Sequence, residues 1–577
     1  MNTSLYESTK IKVERILNTL SRKQWYTFYI GILLFVLSFI VGILVFNESL
    51  KVPVSKRGGI YTEGIIGIPR FINPLLAISD ADKDLTHLVY AGLVRRDADG
   101  TLVPYLAESY AVSPDGKTYT FKLRDNLVFH DGTRITADDV VYTINALQNP
   151  QIKSPEKIKW EGITVKKEND FVVSFTLKQR YVSFLDNAQI GILPKKLWDS
   201  LTPEQFALTE LNIKPVGAGP YVVDSIEKNK SGIPTSYTLH AFKKYLYKEP
   251  YITNFKISFF GNEKEMIDGL KNNIVDAISQ TSPLLTKDLE NTGKYTLSTY
   301  TLPRIFGLFI NQSRSSILRN SNIREIVNTS IDRKALVETV LYGYGETKTN
   351  ALPSWLFKQN VEDKNKQKSL EEITRDIEDL GYTKDESGIF IKKGKKGQER
   401  LNLTLTTLDA PELRQVAEFI KTELSKIGIE VNLQVFEQGT LNQKIRERDY
   451  DVLLFGQNIE QEAELFAFWH SSQRSDPGLN ITGYTNARID KLLESIHKED
   501  KKEERKKIYQ KIDDIINEDS PAIFLYSPLY TYIQNKNTAQ IKEHSYFILP
   551  EDRFTAVHTW YIHTEKVWKW FAPKTQK

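Results

Sequence analysis

The chain has 577 residues, which at ~150 residues per domain allows about three or four domains. Hydrophobic residues make up 40% and aromatic residues 11%, so large cores can form and general disorder is excluded. A net charge of +4 gives no basis for a nucleic-acid partner, and the absence of cysteine excludes disulfides, thiolate metal sites, a Cys nucleophile and a lipid-modified N-terminal Cys.

In chain order, residues 1–27 carry Lys10, Lys12, Arg15, Arg22 and Lys23. Phe28 to Phe46 is then an uncharged apolar run. At 1.5 Å per residue it reaches about 28 Å, close to the hydrocarbon core of a bilayer. Trp25, Tyr26 and Tyr29 cluster at its start, where an aromatic belt would lie. The positive-inside rule makes 1–27 a cytoplasmic tail, 28–46 a single transmembrane anchor, 47–57 a tether, and the remainder extracytoplasmic. Phe46-Asn47-Glu48-Ser49-Leu50 offers no A-x-A cleavage site, so the anchor is expected to be retained.

Beyond the tether, strand-like and helix-like segments alternate, which points to a mixed α/β fold. Tyr119, Phe121 and Leu123 alternate with polar residues as a half-buried strand does. Pro114-Asp115-Gly116 before it and Asp131-Gly132 after it read as turns. Thr136, three residues ahead of Asp139, predicts a helix start. These residues, with His130 and Asp138, have structural explanations and need no catalytic one. Gly116-Lys117-Thr118 lacks the first glycine of a phosphate loop and sits in a hairpin. Gly217-Ala218-Gly219-Pro220 reads as a tight backbone turn. Lys392 to Arg400 reads as a solvated hairpin loop between two strand-like pieces. His558 and His563 are spaced for no metal motif, and neither HExxH nor GxSxG occurs. No catalytic residue, metal site or cofactor is expected.

The segment from Leu102 to Val140 resembles the signature of the family 5 extracytoplasmic solute-binding proteins, the oligopeptide, dipeptide and nickel receptors of ABC importers. The resemblance continues in order. Asn73-Pro74-Leu75 with Tyr90-Ala91-Gly92-Leu93 is similar to the family's opening, and Pro215 to Tyr221 to its PVGTGPY turn. Leu270 to Ala277 follows, with Asn273 in place of the usual Gly. Phe309-Ile310-Asn311, Asn322 to Glu325, Ile331-Asp332-Arg333, Gly343-Tyr344-Gly345, Ile427 to Ile429, Tyr450-Asp451-Val452 and Asn480 to Tyr484 complete the series.

This resemblance implies a bilobal, type II periplasmic-binding-protein-like α/β fold with an enlarged first lobe. Lobe 1 would span 58–301, with an extra subdomain at about 95–210. Lobe 2 would span 302–526, and 527–577 would return to lobe 1; packing onto that lobe is the simplest reading of Trp560, Trp568 and Trp570, with interfacial membrane contact as the alternative. The implied function is capture of oligopeptides in the interlobe cleft, by a monomer, for delivery to the permease and ATPase subunits of an ABC importer. A non-transport peptide sensor or chaperone, and a non-peptide ligand such as a nickel chelate, are the alternatives. In the family an acid after a buried strand pairs with the ligand's amine. Here the strand ends in Gly456-Gln457-Asn458-Ile459-Glu460, which puts Glu460 at that position, with Glu462 and Glu464 as rivals. Gln457 stands where the family has Trp. The implied ligand contacts are Glu460, Gly456, Gln457, Asn458 and Ile459, together with Asn73 and Asn480 of the flanking motifs.

Overall fold

The computed structural model describes residues 21–572, except 98, 182, 354, 357–366, 395–396, 497–498, 500, 537 and 542–546, together with scattered positions between 7 and 19. It divides into two compact units, one formed by the chain up to Arg57 and from Tyr561 onward, the other by Gly58–Trp560.

In the first unit, helix α1 (Arg22–Ser49) contains the predicted apolar run, and none of its described residues is buried. Ser21 caps it: its hydroxyl accepts from the Gln24 N–H, and the Gln24 side chain accepts from the Ser21 N–H. Strand β1 (Lys51–Lys56) follows directly.

The body begins with β2 (Ile60–Ile66) and α2 (Asp80–Val89). Ser79 caps α2, and the Asp82 carboxylate accepts from the N–H groups of Ser79, Ile78, Arg70 and Phe71, which fixes the loop entering the helix. Next come β3 (Ala107–Val112), β4 (Thr118–Leu123), α3 (Ala137–Gln148), β5 (Ile163–Asn169) and β6 (Val172–Leu177), the strands ordered β3-β4-β6-β5 in one antiparallel sheet. Tyr119, Phe121 and Leu123 all point inward, as their alternation requires. Gly116 closes the β3–β4 turn at φ +69°. The Asp139 carboxylate accepts from the N–H and hydroxyl of Thr136 at the start of α3.

The main sheet draws on β7 (Tyr221–Lys228), β8 (Pro234–Ala241), β9 (Asn254–Phe260), β10 (Ala277–Ser279), β11 (Tyr295–Thr301), β12 (Arg304–Ile310), β13 (Asn402–Leu408), β14 (Glu430–Phe436), β15 (Val452–Asn458) and β16 (Ala522–Asn535). Its order is β14-β13-β15-β12-β16-β10-β2-β9-β8-β7, and β11 also pairs with β16. The long strand β16 serves both halves. Ala522–Tyr526 pair with β12, and Leu529–Asn535 pair with β11. Apolar clusters cover each half, one around Leu454, Leu525 and Val416, another around Leu453, Trp469 and Ile512, a third around Met266 and Ile533.

Two predicted motifs prove to be carbonyl collectors. Arg324 is buried and donates to the carbonyls of Leu318, Arg319, Asp519 and Ser520. Arg333 does the same for Asn328, Lys348 and Phe524. A guanidinium carries five N–H donors spread over three nitrogens, against three on the single nitrogen of lysine, so it reaches several separated loop carbonyls at once.

One expectation changes. The charge run Lys392–Arg400 is not a loop between strands: Phe390–Gly394 and Gly397–Arg400 are themselves paired strands, with the tip at 395–396 outside the described residues. After Trp560, which is fully buried in the body, the chain returns to the first unit. It forms β17 (His563–Trp568), which pairs antiparallel with β1 from Lys51↔Trp568 to Lys56↔His563. The physical reason is that a lone six-residue strand after an apolar helix would leave its backbone groups unpaired, and the C-terminal strand supplies the partner.

Candidate functional site

The body holds a cavity of about 280 Å³ between α2, the segments at 95–96, 156–159 and 186–191, the loop after β15, and residues 549–555. Lys83, Thr86 and His87 line it from α2, and Tyr90 lines it from the extended residue that ends the helix. Positions three and four apart share one helix face, so this polar stripe is a direct product of the sequence spacing.

The opposing wall is the loop after β15. Ile459 is buried and its N–H donates to the Pro303 carbonyl at 3.0 Å, which pins the loop. Glu460 follows and lines the cavity with Gln461. The Asn458 amide donates to Glu460 Oε1 at 2.5 Å, holding that carboxylate in place. Both rival acids are committed elsewhere. Glu464 accepts from the backbone N–H groups of Glu460 and Gln461, and Glu462 accepts from the Tyr509 hydroxyl at 2.6 Å.

The remaining sequence candidates, Asn73, Asn480, Gly456, Gln457, Asn458 and Ile459, are not among the residues that line this cavity. Asn73 is buried and works as a loop amide, accepting from the Leu75 N–H and donating to Asn212. Asn480 is equally buried and donates to the carbonyls of His470 and Tyr484. Gln457 points into the interior, where its amide donates to the Ala351 carbonyl. A Cβ on Gly456 would stand 2.9 Å from the Phe306 ring, so this glycine serves packing. Alternation along β15 explains the split, because the residues at 457 and 459 face the core of the half that carries them.

The cavity is of mixed sign. Lys83, Arg95, Arg96 and Lys159 line it with Glu156, Asp186, Glu460, Glu551 and Asp552. Arg96 pairs with Asp186, and Lys159 with Glu156 at 2.9 Å. Burial depresses the Lys159 ammonium, but the carboxylates of Glu156, Glu460 and Glu464 outweigh it and hold the group above its ordinary range. Burial pushes the Glu551 carboxyl up to about 8 against the pull of Lys83, and that of Glu464 up to about 7. Burial also raises Asp552, and the like charge of Glu460 adds to it. A cation between Glu460 and Asp552 would relieve that repulsion.

Several buried polar atoms of the lining residues lack hydrogen-bond partners among the described residues: Tyr90 OH, Thr86 Oγ1, Arg95 Nε and Asn187 Oδ1. Buried polar groups are nearly always paired, so these four atoms are places where ordered water or a local rearrangement would complete the bonding. Sequence reading missed all four. The only available signal was the Lys83/His87 and Thr86/Tyr90 spacing on α2, which resembles an ordinary solvated face.

The glycine turn lies behind this wall. A Cβ on Gly217 would stand 2.1 Å from the Val89 carbonyl oxygen, and one on Gly219 would stand 2.6 Å from that of Leu88. The turn thus abuts the negative end of α2, which repels phosphate and rules out a phosphate loop. His130 braces it, accepting from the Gly217 N–H and contacting the Gly219 carbonyl through Nε2. Burial lowers its pKa to about 4, so the ring stays neutral. Among the described residues no cluster of His, Cys, Asp or Glu is arranged to hold a metal ion.

Two α/β halves sharing strand β16, with a polar cavity walled by both, define a bilobal binding protein of the type II periplasmic class. The comparisons agree. The family model for bacterial extracellular solute-binding proteins, family 5, matches residues 101–476. The chain therefore belongs to the family 5 solute-binding proteins, which are binding proteins and not enzymes. It is 27% identical to the oligopeptide-binding protein AppA of Bacillus subtilis, over 86% of this chain and 92% of that one. It is 23% identical to the dipeptide-binding protein of Escherichia coli, over 80% of this chain and 88% of that one. Among solved structures, the ABC transporter substrate-binding protein CtaP of Listeria monocytogenes superimposes with a TM-score of 0.75 at 22% identity, covering 88% of this chain and 100% of that one. NikZ of Campylobacter jejuni in complex with Ni(L-His) gives 0.69 at 24% identity, covering 87% and 99%.

Proposed function

We propose that this chain is a membrane-anchored extracytoplasmic receptor, not an enzyme, that captures short peptides in the cavity and delivers them to an ABC importer. The lobes are assigned to 58–301 with 527–560, and to 302–526, with α1 as a retained single-pass anchor. The observation that carries the reading is the cavity wall itself. Glu460 is presented by Asn458 on one side, and cationic and unpartnered polar groups (Lys83, Arg95, Tyr90 and Thr86) stand on the other. A zwitterion matches such a mixed-sign surface, with its ammonium at Glu460 and its carboxylate toward Lys83 and Arg95.

The volume of about 280 Å³ lies at the lower edge of the roughly 300–1,000 Å³ typical of small-ligand sites, which favours two or three residues over longer peptides. AppA and the dipeptide-binding protein, whose names give peptide ligands, support the class. The test is calorimetry with trialanine and N-acetyl-trialanine, alongside mass spectrometry of what co-purifies. Binding of trialanine that acetylation weakens at least tenfold supports the reading. Equal affinity for both, or a co-purifying metal chelate, overturns the peptide assignment.

A further inference from the structure

Strand β17 brings the C-terminal aromatic residues to the end of α1. The Trp568 indole N–H donates to Asn47 Oδ1 at 3.0 Å, and the Lys569 N–H donates to the Leu50 carbonyl at 2.9 Å. Trp570 packs edge-on against Trp568 with ring centroids 5.4 Å apart, and Phe571 stacks on Trp568 at 6.2 Å. All three rings remain exposed, at 41%, 60% and 73%.

Asn47 directly follows Phe46, the last residue of the apolar run. At the other end of α1, Trp25 clusters with Phe28 and Tyr29 at 5.7 and 5.3 Å. The rise from Trp25 to Asn47 is about 33 Å at 1.5 Å per residue, against a hydrocarbon core of about 30 Å. A helix that puts Trp25 at one interface therefore puts Asn47, and Trp568 bonded to it, at the other. Indole suits that depth because its ring is apolar and its N–H needs a polar partner.

We propose that Trp568, Trp570 and Phe571 insert into the interfacial layer of the bilayer that α1 crosses, making the C-terminal strand a second membrane contact. The proposal rests on the reading of α1 as a retained anchor. Its occupant is the lipid interface, because the cluster is continuous with the exposed apolar surface of α1 that ends at Phe46.

The experiment uses the full chain reconstituted in phosphatidylcholine vesicles, with and without bromine at acyl carbons 6 and 7, and reads tryptophan quenching. Wild type is compared with Trp25→Phe and with Trp568→Phe/Trp570→Phe. Trp570→Phe alone repeats the test with the Trp568–Asn47 bond intact. With three interfacial tryptophans, the double variant is expected to lose about two-thirds of the quenched amplitude and Trp25→Phe about one-third. Quenching that Trp25→Phe diminishes but neither C-terminal variant changes overturns the proposal while leaving the anchor standing. Absence of quenching in every form overturns the anchor reading and this proposal with it.

Discussion

Arg553 offers the sharpest test of how the cavity is held together. It is 3% exposed and donates to Glu63 Oε1 through Nε at 2.8 Å and to both Asp84 oxygens at 2.5–2.7 Å. Glu63 also accepts from the Tyr532 hydroxyl at 2.9 Å. Burial pushes both carboxyls above their ordinary range, and the Arg553 charge is the main influence pulling them back. Arg553→Met removes that charge and leaves two buried carboxylates unpaired. Protonating one carboxyl of pKa about 4 at pH 7 costs about 4 kcal/mol, at 1.36 per pH unit, while broken buried pairs typically lose about 3–5. The expected destabilisation is therefore about 4–8 kcal/mol at pH 7.

The pH dependence has a definite sign. The folded variant binds protons that the unfolded chain does not, so its stability falls as pH rises above the unfolded carboxyl values. Between pH 5.5 and 7.5 the penalty should grow by about 2.7 kcal/mol for each carboxyl that protonates. Urea unfolding of the detergent-solubilised full chain at both pH values reads this directly. Replacing the whole cluster with Glu63→Gln, Asp84→Asn and Arg553→Met should recover most of the loss. A penalty that is independent of pH, or a single variant as stable as wild type, would refute the reasoning.

Other outcomes follow from particular contacts. Glu460→Gln should weaken trialanine binding by about 2–5 kcal/mol in calorimetry, with the unfolding midpoint unchanged. Gly219→Ala should destabilise the body, because its Cβ would meet the Leu88 and Val89 backbone at 2.6 Å, and thermal unfolding reads the loss. His130 should titrate near pH 4 by NMR; because its folded pKa is depressed, the stability it confers is complete above about 6.5 and is lost as pH falls toward 4. Glu464→Gln should raise stability at pH 8, since burial holds that carboxyl at about 7 and charging it there costs folding free energy.

Local patterns were legible in the sequence where one short stretch decides the outcome. The alternation of Tyr119, Phe121 and Leu123, the turn at Gly116 and the Thr136–Asp139 helix start all depend on neighbours along the chain. Glu460 lines the cavity directly after the apolar strand from which its position was read. The contacts of Asn73, Asn480 and Gln457 were not legible, because a polar amide looks the same in sequence whether it meets ligand or satisfies a buried partner within the protein. The opposite wall was hidden because it is assembled from distant segments. Glu551 and Asp552 reach the cavity only because Arg553, the next residue, is locked to β2 and α2 nearly five hundred positions earlier. Nothing local to any of these residues records that meeting. The pairing of β1 with β17 is the same kind of long-range fact.

That pairing also bears on how the receptor could be shed by proteolysis. The body joins the first unit through two peptide links, at Arg57–Gly58 and at Trp560–Tyr561. A protease that cuts only the second leaves the first intact and releases nothing. A protease that cuts only the first leaves the body covalently joined to β17, which stays on β1 through the ladder from Lys51↔Trp568 to Lys56↔His563. Release after that nick has to wait for a strand to peel away. A single cleavage at Arg57–Gly58, which would free a body held by one linker alone, therefore leaves it attached to the first unit through β17.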